Sequence, residues 1–262
     1  GRIVDGSVEC PYHGWRFKRD GVCSKIPSLT GSEDLNGVLG SPKRGIAYGK
    51  CLVLAGMQSS GKTLIAAKLA GLAQQDGATV GWVDAEDSFD GNWVRIHGLD
   101  PGKPIRDEQR RITGYTKIAL FKPQFGEFKK TRKLGAGLRL ETAEEMVQIA
   151  TEWMTAQRAI NRDSKLCMVV DSTTALCTEE EMAAGFTDQN MKTKMASAPF
   201  LNGLTKSWML MAPNVNAIVI YISQLRLNPS AFMQDPEYMP GGKGLYFYPH
   251  VHVKVRRVKG GL

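Results

Sequence analysis

The stretch "LVLAGMQSSGKTLIAAKLAG", Leu52 to Gly71, decides the fold. It opens on four apolar residues and closes on a segment whose apolar positions recur at helical spacing. Between them "GMQSSGKT", Gly56 to Thr63, fills the pattern G-x-x-x-x-G-K-[ST] completely. Glycine at Gly56 and Gly61 lets the backbone curl around Ser59 and Ser60, so that its N–H groups point inward as a cradle for phosphate oxygens. Lys62 supplies a cation to the outer phosphates, and the Thr63 hydroxyl is a ligand for Mg²⁺. The helix that begins here adds its positive end. A glycine-rich turn that matched by chance would not need an apolar strand directly before it and an amphipathic helix directly after. The expected ligands are ATP and Mg²⁺.

Working outward, short apolar runs alternate with helical patterns. "KCLVLAG" (Lys50–Gly56), "TVGWVDAE" (Thr79–Glu86), "KLCMVVDS" (Lys165–Ser172), "NAIVIYISQ" (Asn216–Gln224) and "HVHVKVRRV" (His250–Val258) read as strands. The first four are nearly continuous apolar runs, as expected of strands covered on both faces. "KTLIAAKLAGLAQQDG" (Lys62–Gly77), "LETAEEMVQIATEWMTAQRAI" (Leu140–Ile160) and Met191–Met211, interrupted near Pro199, read as helices. The order predicts an α/β fold: a mostly parallel twisted sheet flanked by helices. Asp100 to Gly137 is weakly periodic and reads as an insertion or an exposed hairpin. Leu225 to Gly244, rich in Pro and Gly, reads as a long loop.

The composition of the 262 residues is 42% hydrophobic and 23% charged, which suits one large domain with a small appendage and excludes global disorder. No apolar run is long enough for a membrane span, so no membrane partner is expected. Five scattered cysteines do not make a disulfide framework, and Cys51 and Cys167 lie in apolar strands as small hydrophobes. A reducing cytoplasm is the expected setting. The formal charge of +8 favours polyanionic partners. It is concentrated in Lys122 to Arg139, with six basic residues and one acid, and in "HVHVKVRRVKGGL" at the end. Either run is a solvated face unless something else points to nucleic acid.

Two acidic sites complete the chemistry. "CMVVDS" ends a strand with Asp171, where a carboxylate reaches the Mg²⁺ shell, although an acid after an apolar strand is common in α/β folds. "WVDAEDSFD" holds Asp84, Glu86, Asp87 and Asp90. A carboxylate here could activate the water that attacks a γ-phosphate. Spacing alone does not choose among the four, most of which could be capping or solvated.

From about Ile26 to Gly261 the chain resembles the ATPase core of bacterial and phage RecA-type recombinases. The resemblance is carried, in the family's order, by "IPSLTGSEDLNGVLG", "GMQSSGKT", "VGWVDAEDSFDGNWVRIHGLD", "VVDSTTAL", "IVIYISQLR" and "MPGGKGLYFYPHVHVKVRR". It implies a RecA-like DNA-dependent ATPase of homologous recombination and repair that binds single-stranded and also duplex DNA. Glu86 stands at the family's catalytic glutamate. Asp90 and Trp93 stand where the family contacts adenine, although Trp93 could equally be core. Gln224 stands at the residue that senses the γ-phosphate. The family's two DNA loops correspond to Cys177–Lys192 and Leu225–Gly242. Arg226 and Lys243 are then candidates for phosphate contacts, and Phe232, Met233 and Tyr238 for wedging between bases. The family's N-terminal docking element and C-terminal DNA-gathering domain are not recognisable. Self-association into a filament, with ATP bridging protomers, is therefore left open. A RecA-fold ATPase acting on a non-DNA partner is the alternative.

"GRIVDGSVECPYHGWRFKRDGVCSKIPSL" resembles the second half of a Rieske domain. Cys10 and His13 match one ligand pair of a [2Fe-2S] centre, which needs two Cys and two His. No second Cys-x-His occurs, and His97, His250 and His252 do not replace it. Half the ligands do not hold a cluster, so residues 1–29 are expected to be an inert Rieske-like fragment before an ATPase core at 30–262. A Rieske-type electron carrier is the remaining alternative.

Overall fold

The computed structural model describes residues 2–9, 16–19, 23–25, 46–122, 142–184, 196–227 and 237–257. The chain divides into two compact units, Gly1–Ala47 and Tyr48–Leu262. In the first, β1 (Arg2–Val4), β2 (Ser7–Glu9), β3 (Arg16–Phe17) and β4 (Cys23–Lys25) form an antiparallel sheet in chain order. Val4 faces Ser7, and Asp5 and Gly6 turn the hairpin with φ of 50° and 71°. That is the double positive φ for which an Asp-Gly pair is suited. The Arg16 guanidinium joins β3 to the first hairpin, donating to Glu9 at 2.8 Å and to Asp5 at 2.9 Å. Cys10 and His13 lie outside the described residues.

The second unit runs β5 (Cys51–Gly56), α1 (Lys62–Gln75), β6 (Ala78–Asp84), α2 (Gly91–Ile96), β7 (Pro104–Arg106), β8 (Ile112–Tyr115) and β9 (Ile118–Phe121). It continues with α3 (Ala143–Ile160), β10 (Lys165–Asp171), α4 (Glu179–Ala184), α5 (Ser197–Val215) and β11 (Ala217–Gln224). It closes with β12 (Arg226–Leu227), β13 (Glu237–Tyr238), α6 (Gly244–Phe247) and β14 (Val251–Val255). Six strands make the main sheet in the order β14-β5-β11-β10-β6-β9, and every pairing is parallel. The α/β architecture read from the sequence is therefore present.

Burial follows from the strand period. Cys51, Val53, Val83, Met168, Val170, Val219 and Tyr221 pack on one face against Met146, Ala150 and Met154 of α3 and Leu201, Leu204 and Trp208 of α5. Their neighbours in sequence face the other way, where α1 lies against the sheet with Ala66, Ala67 and Ala70 buried. Trp208 stacks near Tyr221 and donates its indole N–H to Thr151 at 2.9 Å, so its polar atom is satisfied inside the core. Small residues let α1 approach closely. A Cβ on Gly71 would stand 2.3 Å from the Gly98 carbonyl oxygen.

The elements differ from the sequence reading at several points. A sixth strand, β9, lies inside the region read as an insertion or hairpin, and among the described residues there β7 and β8 form the hairpin. Helix α3 starts at Ala143 because Thr142 caps it. Thr142 and Glu145 make a reciprocal capping box, a device that contributes about 1 kcal/mol. Pro199 does not interrupt α5. It sits in the first turn, where its missing N–H has no intrahelical partner to lose. The segment read as the long loop Leu225–Gly244 is paired at its ends, with Arg226 opposite Tyr238 and Leu227 opposite Glu237. In the first loop, Glu179–Ala184 is helical. Among the described residues no helix is long and apolar enough to cross a membrane.

Candidate active site

Because the sheet is parallel, the C-terminal ends of β5, β6, β10 and β11 lie along one edge. Register fixes which residues meet there: Gly56 is level with Gln224, and Asp171 with Asp84. This is the edge at which parallel α/β sheets place their ligands.

The loop from Gly56 to Thr63 leaves β5 under tight constraint. A Cβ on Gly56 would stand 2.5 Å from both the Ser60 Oγ and the Val255 carbonyl oxygen. Ser59 and Gly61 take left-handed backbone at φ 58° and 95°. The Ser60 N–H donates to the Met57 carbonyl at 3.3 Å, and Lys62 Nζ donates to the same oxygen at 2.8 Å. The loop is thus a closed ring ahead of α1, whose first turn carries no acid to oppose an anion. The Ser60 hydroxyl is buried without a hydrogen-bond partner among the described residues.

Above the loop lies a cleft of about 400 Å³ lined by residues Gln58 to Leu64, Glu86, Trp93, Asp171, Ile222 and Gln224. Lys62, Thr63, Glu86, Asp171 and Gln224 are brought together here from four elements. Asp171 is buried and accepts a hydrogen bond from the Thr63 hydroxyl. Burial pushes its carboxyl up to about 7, opposed by the Thr63 hydrogen bond and the Lys62 charge and reinforced by Glu86 and Asp84. Lys62 is held below the usual ammonium range, chiefly by burial and against the pull of Asp171 and Glu86. A hydroxyl and a carboxylate of this kind are hard oxygen donors suited to Mg²⁺. Between a desolvated cation and a desolvated carboxyl, a Mg²⁺–phosphate ligand fits both charges.

The structure also separates the four acids. Asp84 is buried and accepts the main-chain N–H groups of Ser88 and Phe89 at 3.0 and 2.9 Å, which shapes the turn after β6. Asp87 pairs with Lys122 at 2.9 Å. Asp90 caps α2, accepting from Asn92 and Trp93 at 2.7 and 3.1 Å, and does not line the cleft. Glu86 alone projects into it. Its Oε1 accepts from the Ser172 hydroxyl at 2.6 Å and from the Gln224 amide at 3.1 Å. Ser172 in turn shares a hydrogen bond of 2.8 Å with Thr174. Sequence reasoning did not single out Ser172 and Thr174, although they follow Asp171 directly in "VVDSTTAL". The Asp171–Ser172 peptide is cis. Trp93 lines the cleft, is 37% exposed and meets His97 edge-on at 4.4 Å, so it is not a core residue.

The DNA candidates are dispersed. Arg226 and Tyr238 face each other across the β12–β13 ribbon, both exposed, and Lys243 is exposed before α6. Phe232 and Met233 lie outside the described residues. The ribbon is anchored at both sides. Glu237 pairs with Lys254 at 2.5 Å and with Arg256 at 3.6 Å on the β14 side. Gly241, Gly242 and Gly244 bring the chain against α5, where a Cβ on Gly244 would stand 2.7 Å from the Asn202 Cα. His250 and His252 are each engaged with the main chain, at Cys51 N and Leu245 O.

With this geometry in place, likeness to known proteins is specific. Residues 141–260 match the RecA N-terminal domain. Residues 1–38 match the Rieske [2Fe-2S] domain. The protein RecA of Clostridium botulinum (strain Alaska E43 / Type E3) is 28% identical over 243 residues, 93% of this chain and 56% of its own. RecA of C. botulinum (strain Eklund 17B / Type B) is 29% identical over 87% of this chain and 52% of its own, and RecA of Ehrlichia ruminantium (strain Gardel) 26% over 92% and 56%. A match of 243 residues in 262 takes in the Gly56–Thr63 loop wherever it begins. The fold is RecA-like, and the chain spans little more than half the length of these RecA relatives. Among the described residues no group of three or more His, Cys, Asp or Glu side chains could hold a metal ion.

Proposed function

We propose that this chain is a RecA-like, DNA-dependent ATPase of recombination and repair, with residues 30–262 as the ATPase core and 1–29 taking no part in its chemistry. The observation that carries the reading is the convergence of Lys62, Thr63, Glu86, Asp171 and Gln224 on one cleft at the strand ends. Bound Mg²⁺, held by Thr63 and Asp171, supplies positive charge to the phosphates. Lys62 exchanges the Met57 carbonyl for outer phosphate oxygens, and the loop N–H groups bind the inner ones. Trp93 offers a flat face to the base. Glu86 takes the proton from the attacking water. Its Oε1 is held by Ser172 and Gln224, which fixes the direction of the carboxylate. Gln224 is the last residue of β11 and lies two residues before Arg226 on the ribbon. When its amide leaves Glu86 for the terminal phosphate, the ribbon feels the nucleotide. Single-stranded DNA, and duplex DNA also, would meet the ribbon through Arg226 and Tyr238 and the chain after it through Lys243.

The test is the rate of ATP hydrolysis with and without single-stranded DNA, beside Lys62→Ala. Hydrolysis that DNA accelerates, and that Lys62→Ala abolishes, supports the reading. Hydrolysis with no DNA binding or stimulation removes the recombinase half and leaves an ATPase acting on another partner.

A further inference from the structure

The β7–β8 hairpin stands outside the cleft chemistry. Residues 103–117 hold five cations and two carboxylates. Its turn is a built structure. The Asp107 N–H donates to the Arg111 carbonyl at 3.0 Å, and the Arg110 N–H to the Asp107 carbonyl at 2.9 Å. The Asp107 carboxylate then takes the Arg111 main-chain N–H at 2.8 Å and its Nε at 2.7 Å. Arg110 sits at φ 62°, a left-handed position that a bulky residue adopts at some cost and that fixes the direction of the tip. The Arg106 guanidinium reaches across and donates to the Arg110 carbonyl at 2.7 Å.

The cations divide by partner. Arg111 is paired with Asp107, and Lys117 with Asp100. Lys103, Arg106 and Arg110 are exposed and have no carboxylate partner among the described residues. Glu108, also exposed, is the only carboxylate of the hairpin that pairs with no cation among them. Three unmatched cations on a hydrogen-bonded two-stranded ribbon suit a polyanion with evenly repeated charge, because the ribbon needs no further ordering to present them. Two are arginines, whose planar forks match phosphate oxygens. β-Ribbons of this width also enter nucleic-acid grooves.

The hairpin is separate from the DNA candidates described above. It adjoins β9, at one end of the six-stranded sheet, whereas the β12–β13 ribbon is tied through Glu237 to β14 at the other. Five strand spacings, about 24 Å, separate those two edges.

We infer that the β7–β8 hairpin is a second DNA contact, at which Lys103, Arg106 and Arg110 neutralise backbone phosphates at the sheet edge opposite the ribbon of Arg226 and Tyr238. The inference rests on the reading above only for its choice of DNA as the polyanion. The test uses the whole chain, with one labelled single-stranded oligonucleotide and one duplex of equal length, titrated across a salt series. The variant is Lys103→Gln with Arg106→Gln and Arg110→Asn, the last because Asn tolerates left-handed backbone. ATP affinity is measured in parallel. The expected result is unchanged ATP affinity, weaker DNA binding and a salt slope shallower by about 2 on the single strand, from three contacts at about 0.7 each. A loss seen on the duplex alone supports the hairpin equally and assigns it to the duplex. Wild-type DNA binding with the same affinity and slope in the variant overturns the hairpin and spares the reading above. Absence of DNA binding in the wild type overturns both. If ATP affinity falls with DNA affinity, the fold has been disturbed and Glu108→Gln decides. It removes the opposing charge without touching the turn, and DNA binding that fails to tighten overturns the inference.

Discussion

The cleft and the basic surfaces solve different physical problems. In the cleft, Lys62 and Asp171 are buried and the chemistry-bearing side chains have assigned directions: Lys62 on Met57, Thr63 on Asp171, Ser172 and Gln224 on Glu86. On the hairpin and the ribbon, Arg106, Arg110 and Arg226 are exposed to solvent, with the Arg106 guanidinium resting on the Arg110 carbonyl. Desolvated groups act strongly over short distances, so one misplaced atom there is expensive. Exposed cations act weakly and additively, so a polyanion is held by their number. The two regions should therefore respond to substitution in different ways.

The largest effect is expected in the cleft. Glu86→Gln keeps the shape and one acceptor oxygen for Ser172 and Gln224 but cannot take a proton, and steady-state ATP hydrolysis should fall by about 10²–10⁴-fold. Nucleotide-free DNA affinity, read by fluorescence anisotropy, should change less than about twofold, since no phosphate contact is removed. A DNA affinity that collapses with Glu86→Gln would erase the distinction between the regions. Next comes Ser172→Ala, which removes one of the two donors on Glu86 Oε1. A hydrogen bond to a charged group is worth about 1.5–3 kcal/mol, so kcat should fall by roughly ten- to a hundredfold while KM for ATP stays level. An unchanged kcat would mean that Gln224 alone aims Glu86.

The cleft was the more legible of the two regions. Gly56, Gly61, Lys62 and Thr63 are identified by chain-local spacing, because a phosphate loop, its strand and its helix are contiguous. Asp171 follows for the same reason. Glu86 could not be chosen from four acids by spacing, since Asp84 and Asp90 are occupied by N–H groups that only the folded turn and α2 present. Ser172 was missed because its role depends on a residue 86 positions away. On the surfaces, "IALF" is a four-residue run inside a basic, weakly periodic stretch. It becomes β9 only by pairing with the buried strand β6. The ribbon reads as a loop in the sequence because Arg226 and Tyr238 pair across a segment broken by Pro229 and Pro236, and such closure leaves little local signal.

A smaller effect is expected on the surface. Arg226→Ala should weaken single-stranded DNA binding and lower its salt slope by about 0.7, with DNA-independent hydrolysis unchanged. A change in hydrolysis without DNA would show that the ribbon reaches into the cleft chemistry by itself. The smallest concerns the sheet edge beside the loop. His250 Nδ1 accepts the Cys51 N–H at 3.1 Å, which requires the neutral ring. Burial, and then Lys50, hold its pKa below the usual histidine range. A depressed folded pKa means that this contribution is complete above the unfolded pKa of about 6.5 and is lost as pH falls through the lower folded value. The melting temperature of the wild type should therefore drop slightly more than that of His250→Gln between pH 7 and pH 5. An equal drop would show that the histidine does not matter to the edge.

The claim that joins the two regions is that Gln224 carries the nucleotide state from Glu86 to the ribbon. It is tested most directly by single-stranded DNA affinity with and without a non-hydrolysable ATP analogue, in the wild type and in Gln224→Ala. The account predicts that the analogue tightens DNA binding in the wild type and leaves it unchanged in Gln224→Ala, with analogue affinity similar in both. Equal tightening in the two proteins, or none in the wild type, would contradict it.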